Sequence, residues 1–397
     1  MSALLWGKVF YKEHFAGFLK EEPGNTCTFS YDPSYLEAQH PAIAHTLPLK
    51  KEAFLSQNGL HPFFDNLVAE GWLFDAQTRL LGKRLASRFE LLLAFGQDCA
   101  GAVSVIDPEA QPISAVLMDK HDPKEMGVLL GRSSLSGVQP KLTLIERDGK
   151  LYPTRIGELS SHIAKFPSAT HSDLVFNEYL STLAFKALLP DDIVVDLSIG
   201  EIQGFSEPAL IIKRFDRTLD HQRIHFEEFN QLLAYPSTAK YEGSHQAMAD
   251  FMWNNRCLPT EIYRLYLRIL AGFLIGNTDM HLKNFALFHT PQGLGLTPVY
   301  DQVAASLYGY KTVALAIGGA KNLIIDRLKA RTLIKLGTEF RLTKASIHMA
   351  ALHLEKHLEA AKQAISESTV AKAALKKQII NLMEKRWNGT FALIGKP

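Results

Sequence analysis

Apolar residues between Ile347 and Ile365 return at alternating intervals of four and three (Ile347, Ala351, Leu354, Leu358, Ala361, Ile365), the spacing of an amphipathic helix with one face on a core. Leu174 to Leu188 predicts a second helix. Ile262 to Ile275 predicts a third, apolar almost all round and therefore buried. That run carries Arg264 and Arg268 and is too short to cross a bilayer. Earlier in the chain, Leu4 to Phe10 and Cys27 to Tyr31 alternate or nearly so between the turn signals Pro23, Gly24 and Pro33, and read as short strands. Further β-rich runs cover Lys141 to Glu146, Ser161 to Phe166, Ile193 to Glu201 and Ala209 to Arg214. Phe63 to Leu67 and Arg84 to Phe95 read as helical, the latter with Leu85, Phe89, Leu92 and Leu93 on one face. The pattern predicts an α+β chain with a small α+β module over 1–104, a sheet-containing lobe over 105–225 and a helical lobe over 226–397. Two lobes joined near Leu210 to Arg217 imply a cleft, where ligands are commonly bound.

Composition narrows the classes of function. The 397 residues are 47% hydrophobic and 21% charged, which excludes a disordered tail and calls for at least two cores. Forty-three Lys and Arg against 41 Asp and Glu leave a formal charge of +2, so no whole-protein field draws in nucleic acid or an anionic membrane. Cys27, Cys99 and Cys257 lie far apart with no CxxC, which predicts reduced, packed thiols in a cytoplasmic protein. Met1 to Val9 lacks the features of a signal peptide.

The candidate chemistry begins at Gly276 to Asn284, a polar loop between the buried third helix and the strand-like Phe285 to Phe288. Asp279 and Asn284 stand five positions apart, the interval of the Asp and Asn in the protein-kinase catalytic loop. There the Asp takes the proton of the attacking hydroxyl and the Asn holds magnesium, because phosphoryl transfer needs positioning and charge neutralisation. A capped turn is the plainer alternative, since Asn, Thr and Asp favour turns. Asp301 follows a short apolar strand and the glycines Gly293 and Gly295, where it can chelate Mg²⁺. It lacks the Phe-Gly of the kinase motif, and a helix N-cap is its plain reading. Lys165 sits among apolar strand residues, where an ammonium needs a phosphate or a carboxylate partner. Glu178, near the start of the second helix, is the natural carboxylate. Small hydroxyl residues around Gly137 in Arg132 to Lys141 can turn backbone N–H groups toward phosphate, although no standard glycine-rich motif is matched.

Ser134-Leu-Ser-Gly-Val-Gln-Pro-Lys141, His162-Ile-Ala-Lys-Phe-Pro167, Asn177-Glu-Tyr179, Arg214-Phe-Asp-Arg217, Asn277-Thr-Asp-Met-His-Leu-Lys-Asn284 and Tyr300-Asp301 resemble, in order and spacing, the HipA toxin serine/threonine kinases of bacterial toxin–antitoxin systems. Phe29-Ser-Tyr-Asp-Pro33, Leu47-Pro-Leu49 and Phe64-Asp-Asn-Leu67 resemble that family's N-terminal subdomain, so the likeness spans nearly the whole chain. The resemblance implies a two-lobed, protein-kinase-like α+β fold with a small N-terminal module. It also implies that Asp279 is the catalytic base, that Asn284 and Asp301 bind Mg²⁺, and that Lys165, with Glu178, serves the ATP phosphates. Ser134, Ser136, Gly137, Val138 and Gln139 would form the nucleotide loop, Lys213 and Phe215 the hinge, with Asp216 and His281 near the nucleotide. Lys213 departs from the acidic residue of the best-known member, which a backbone contact tolerates. Ser134 and Ser136 match positions of autophosphorylation. The implied substrate is a translation-related protein, an aminoacyl-tRNA synthetase by family analogy, and the implied partner is a HipB-like antitoxin that makes the DNA contact.

Two other readings stay open: a small-molecule kinase of the aminoglycoside or choline kinase type, and a non-catalytic kinase-like subunit that holds an antitoxin. His353 and His357 share a helix face at metal-ligand spacing, but a solvated face explains them as well. The basic C-terminal segment from Lys372 to Arg386 has apolar partners at Leu375, Ile379, Ile380 and Leu382, which predicts a packed helix. Gly318 and Gly319 predict a flexible client-recognition loop over Tyr308 to Leu323.

Overall fold

The computed structural model describes residues 4–109, 123–135, 137, 139–168 and 170–394. They fall into two compact units, Met1–Phe166 with Gly200–Thr238, and Pro167–Ile199 with Ala239–Pro397.

The first unit starts with β1 (Trp6–Tyr11), β2 (His14–Glu22) and β3 (Thr26–Tyr31), each antiparallel to the next. Their alternation works as expected, with Val9, Tyr11, Cys27, Phe29 and Tyr31 pointing into the core. Asp32 caps the short α1 (Pro33–Glu37), and β4 (Phe54–Ser56) pairs with β3. Next come α2 (Pro62–Asp65), α3 (Gly71–Leu80) and α4 (Arg88–Phe95), and β5 (Val103–Ile106) closes the sheet in the order β4-β3-β2-β1-β5. The start of α4 corrects the expected helix over Arg84 to Phe95. Ser87 Oγ accepts from Glu90 N at 3.1 Å while the Glu90 carboxylate accepts from Ser87 N at 2.8 Å, a capping box that sets the first turn. Leu85 therefore precedes the helix and is 82% exposed.

After α5 (Pro123–Gly131), β6 (Lys141–Arg147), β7 (Lys150–Pro153) and β8 (His162–Lys165) form a second antiparallel sheet. The chain leaves this unit for α6 (Leu174–Leu188) and most of β9 (Leu197–Gly200), then returns as β10 (Ala209–Lys213), which pairs with β8. β9 is shorter than the run Ile193 to Glu201 suggested, because Val195 N bonds Val299 O (3.0 Å) and Val299 N bonds Ile193 O (2.8 Å) in an isolated bridge. β11 (Phe226–Glu228) and α7 (Phe229–Leu232) end the unit. One buried apolar cluster runs from Val9 through Phe95, Leu142 and Phe166 to Ile211, so both sheets share a core.

The second unit is mainly helical. Ser244 caps α8 (His245–Asn254), and Pro259 opens α9 (Pro259–Ile275), whose apolar surround is buried as its composition predicts. Arg268 is also buried there. Its guanidinium meets Asp192 at 2.6 Å and the Thr297 carbonyl at 2.8 Å. The hairpin of β12 (Ala286–Thr290) and β13 (Gly293–Leu296) follows the loop after α9. α10 (Ala330–Glu339), α11 (Lys344–Glu367) and α12 (Ala373–Gly389) complete the unit. The six stripe residues of α11 are all buried, as are Leu375, Ile379 and Leu382 of α12. His353 bonds the Leu188 carbonyl (3.1 Å) and His357 the His353 carbonyl (2.9 Å), so helix packing accounts for both imidazoles. The segment Tyr308 to Leu323 is fastened: Val313, Leu315 and Ile317 are buried, and Gly318 and Gly319 make a tight turn at φ +63° and +75°. Gly318 N donates to Glu339 and its carbonyl accepts from Lys335. Among the described residues, no helix is long and apolar enough to cross a membrane, and Cys27, Cys99 and Cys257 are free and buried.

Candidate active site

The loop 276–284 starts where α9 stops, at Gly276 with φ +91°. A Cβ there would lie 2.4 Å from Leu382 Cδ2 and 2.6 Å from Ser306 Oγ, so both the conformation and the space require glycine. Asn277 then ties the loop down: its N–H reaches Gly272 O (2.9 Å), its amide donates to Gln302 (3.2 Å), and its Oδ1 accepts from Asp279 N (3.0 Å). Thr278 bonds the Tyr310 carbonyl at 2.8 Å. Asp279 thus sits on a braced backbone with its carboxylate at the surface, where Oδ1 accepts from Tyr241 Oη at 2.9 Å.

The rest of the loop folds back as a short 3-10 turn. Asn284 Oδ1 accepts from His281 N at 3.0 Å, while Asn284 Nδ2 donates to Asp301 Oδ2 at 2.7 Å. Asp301 is held with φ +58°, an unusual conformation for a non-glycine residue. The structure around it compensates. Tyr300 Oη donates to Lys283 O (2.9 Å), and Ala304 N donates to Asn177 of α6 (2.8 Å), next to the buried Glu178. His281 is buried with its ring edge-on to Tyr241, centroids 5.1 Å apart. Asp279, Asn284 and Asp301 therefore converge within one unit. Asp279 is exposed as a residue, but the protein crowded around its carboxyl group strips part of its hydration and pushes it up to about 6. Tyr241 pulls it down, Asp301 pushes it further up and Lys240 pulls it down.

The remaining sequence candidates, apart from Glu178, lie in the first unit. Ser134 is buried, its N–H on the Asp98 carbonyl at 3.4 Å, and Gln77 of α3 donates to the Ser133 carbonyl at 2.9 Å. Gly137 has φ +99°, and a Cβ there would meet Lys141 Nζ at 2.5 Å. Gln139 donates to Phe166 O at 2.7 Å. Ser136 and Val138 lie outside the described residues. Lys165 is buried on β8, and its partner directly across on β6 is Lys141, also buried. In the sequence Lys141 is quoted as the end of the Ser134 motif with no role of its own; its place opposite Lys165 follows only from the strand register. Lys213 is exposed at the end of β10, and Phe215 packs on Phe226 at 5.0 Å.

Asp216 is placed differently from an open ligand. Its carboxylate takes Arg214 (2.6 and 2.9 Å), Arg217 (2.8 Å) and Gly101 N (2.8 Å). Asp98 completes this buried cluster with Arg217 (2.7 Å), Arg214 (3.3 Å) and Ser160 (2.6 Å). Burial alone would raise both carboxyls, but Arg214 first and then Arg217 hold them below their ordinary value.

Comparison with known proteins identifies the family of the chain. Residues 133–375 match the model of the HipA-like C-terminal domain, and residues 7–106 that of the HipA N-terminal domain. The serine/threonine-protein kinase toxin HipA of Shewanella oneidensis is 31% identical over 318 residues, covering 72% of this chain and 71% of that one. The protein Y4mE of Sinorhizobium fredii is 27% identical over 352 residues, covering 81% of this chain and 82% of its own. In structure, a chain from the Shewanella oneidensis complex of HipA, HipB and operator DNA matches with a TM-score of 0.77 at 24% identity, over 98% of this chain and 99% of that one.

Proposed function

The chain belongs to the HipA family and is a serine/threonine protein kinase of that toxin type, which uses ATP; from this premise we propose that Asp279 is its catalytic base and that Asn284 and Asp301 hold magnesium. The observation that carries the reading is the 2.7 Å contact between Asn284 Nδ2 and Asp301 Oδ2, beside the surface carboxylate of Asp279. The donor set suits a hard cation: Asn284 Oδ1 has a lone pair left beyond its bond to His281 N, and Asp301 supplies a carboxylate. Magnesium held there would neutralise the charge that builds on the transferring phosphoryl group.

The protein's own residues do the rest. Asp279 takes the proton of a serine or threonine hydroxyl as that oxygen attacks, and its raised pKa makes it a better base than an ordinary aspartate while leaving it ionised at neutral pH. Lys165 and Lys141, opposite each other on β8 and β6, bind the ATP phosphates. By the family resemblance, Ser134 and Ser136 are the autophosphorylation serines, and the segment Ser134 to Gln139 serves the phosphates. By the same resemblance, the backbone at Lys213 and Phe215 would serve adenine, and His281 and Glu178 would serve the nucleotide from their own unit. Asp216 acts by fixing the turn on which Phe215 stands. The substrate is a translation-related protein, by family analogy an aminoacyl-tRNA synthetase. A HipB-like antitoxin is the partner that carries DNA contact, since the relative's solved complex holds HipA, HipB and operator DNA.

Incubation with γ-labelled ATP, magnesium and a host extract tests this reading. Label on protein serine or threonine that disappears in Asp279→Asn is expected. Transfer to small molecules alone would favour a metabolite kinase, and intact ATP binding without transfer a non-catalytic antitoxin-holding subunit.

A further inference from the structure

Tyr241 belongs to no motif that pointed to the site, yet its hydroxyl is the group the structure puts on the carboxylate of Asp279, at 2.9 Å from Oδ1. Its backbone is held for that contact. The Lys240 carbonyl accepts from Leu282 N at 3.2 Å, which fastens the segment to the middle of the 276–284 loop. Gly243, two residues on, packs so tightly that a Cβ there would lie 2.7 Å from Leu282 Cδ1. Tyr241 is 49% exposed, and its ring leans edge-on against His281. An aromatic ring left half in water on a pinned backbone, with its one polar atom on a carboxylate, is placed for that polar contact more than for packing.

We propose that Tyr241 is a positioning residue for the catalytic base: it engages Oδ1 and fixes the carboxylate plane so that Oδ2 faces the acceptor hydroxyl. The inference rests on the reading of Asp279 as the base. A carboxylate on a surface loop can rotate about its last side-chain bond, and each misaligned orientation is lost to proton transfer. A phenol donating to a charged acceptor is a strong hydrogen bond, and this one is made with the ionised form that does the chemistry. The same contact sets aside one oxygen of two, so the proton from the acceptor has a single destination.

Replacing Tyr241 with Phe removes the hydroxyl and keeps the ring. The assay is the consumption of γ-labelled ATP by the full chain with magnesium, with ATP varied to separate kcat from KM and a thermal melt alongside. Tyr241→Phe is expected to lower kcat about tenfold, the loss of one charge-assisted bond, with the KM for ATP and the melting midpoint unchanged. A wild-type kcat would overturn the proposal. So would a raised kcat, which would mean that the phenol competes with the acceptor, and so would a kcat loss accompanied by an equal loss of stability, which would mean a structural role. Asp279→Asn serves as the control. If it retains activity, the base assignment fails and this inference with it, whereas an inactive Asp279→Asn beside an unaffected Tyr241→Phe removes only the role of Tyr241.

Discussion

At Asp279 the partial loss of hydration disfavours the charged carboxylate, Tyr241 and Lys240 favour it, Asp301 opposes it, and the balance stands at about 6. In its proposed role as base Asp279 works as the carboxylate, so activity is expected to fall as pH drops through that value and to be retained above it. The direct check is a carbon-detected NMR titration of the metal-free chain, where the Asp279 carboxyl should titrate near 6; a midpoint near 4, the ordinary aspartate value, would contradict the assignment. Asp279, Asn284 and Asp301 were legible in the sequence because they lie in one loop and the hairpin after it, so spacing alone brings them together. Tyr241 and Lys141 were not. Tyr241 lies 38 positions from the carboxylate it touches, and Lys141 is defined by register, since only pairing of β6 with β8 puts it opposite Lys165. Asp216 carried a family motif, but no motif states that two arginines and a backbone N–H already occupy its carboxylate.

Among the elements, α12 has a part in the site that its basic, amphipathic sequence did not announce. Leu382 fills the space beside Gly276, and one turn later Arg386 donates to the Phe273 carbonyl in the last turn of α9 and to the Ile325 carbonyl at 3.1 Å. A buried cation at a helix C-terminus complements the helix dipole, so α12 braces the point from which the loop of Asp279 departs. Gly276→Ala should cost roughly 1–3 kcal/mol, from the left-handed backbone and the overlap with Leu382. Denaturant unfolding measures it, and the double variant Gly276→Ala, Leu382→Ala should lose less stability than the sum of the two single losses, because the truncated side chain removes the overlap. α11 was readable from its periodic apolar stripe, and α6 and α9 from long apolar runs. α4 was misjudged at its start because a capping box outweighed one leucine, and the run toward Glu201 because three of its residues were drawn into a bridge with Val299. The glycines at 318 and 319 suggested mobility where the neighbouring valine, leucine and isoleucine anchor the segment.

In the whole molecule, the first hundred residues and the sheet of Lys165 share one core, and the Asp98 cluster links four stretches of chain: 98–101, Ser160, 214–217 and Arg223. Such long-range ion pairing leaves no periodic trace, so the sequence did not announce the core that the first hundred residues share with the sheet of Lys165. Asp98→Asn leaves three buried guanidiniums facing one carboxylate and should destabilise the chain by roughly 3–5 kcal/mol, measured by chemical denaturation. Asp98 and Asp216 are both held below their ordinary value, so their stabilisation is present above about pH 4 and lost as pH falls toward their folded values. The central claim is that this fold serves one chemical step at Asp279. It is tested most directly by the rate of γ-phosphoryl loss from magnesium-bound ATP in Asp279→Asn beside the wild-type chain, with ATP affinity measured by calorimetry. A rate at least about 100-fold lower with affinity retained is the predicted result; a rate close to that of the wild type would contradict it.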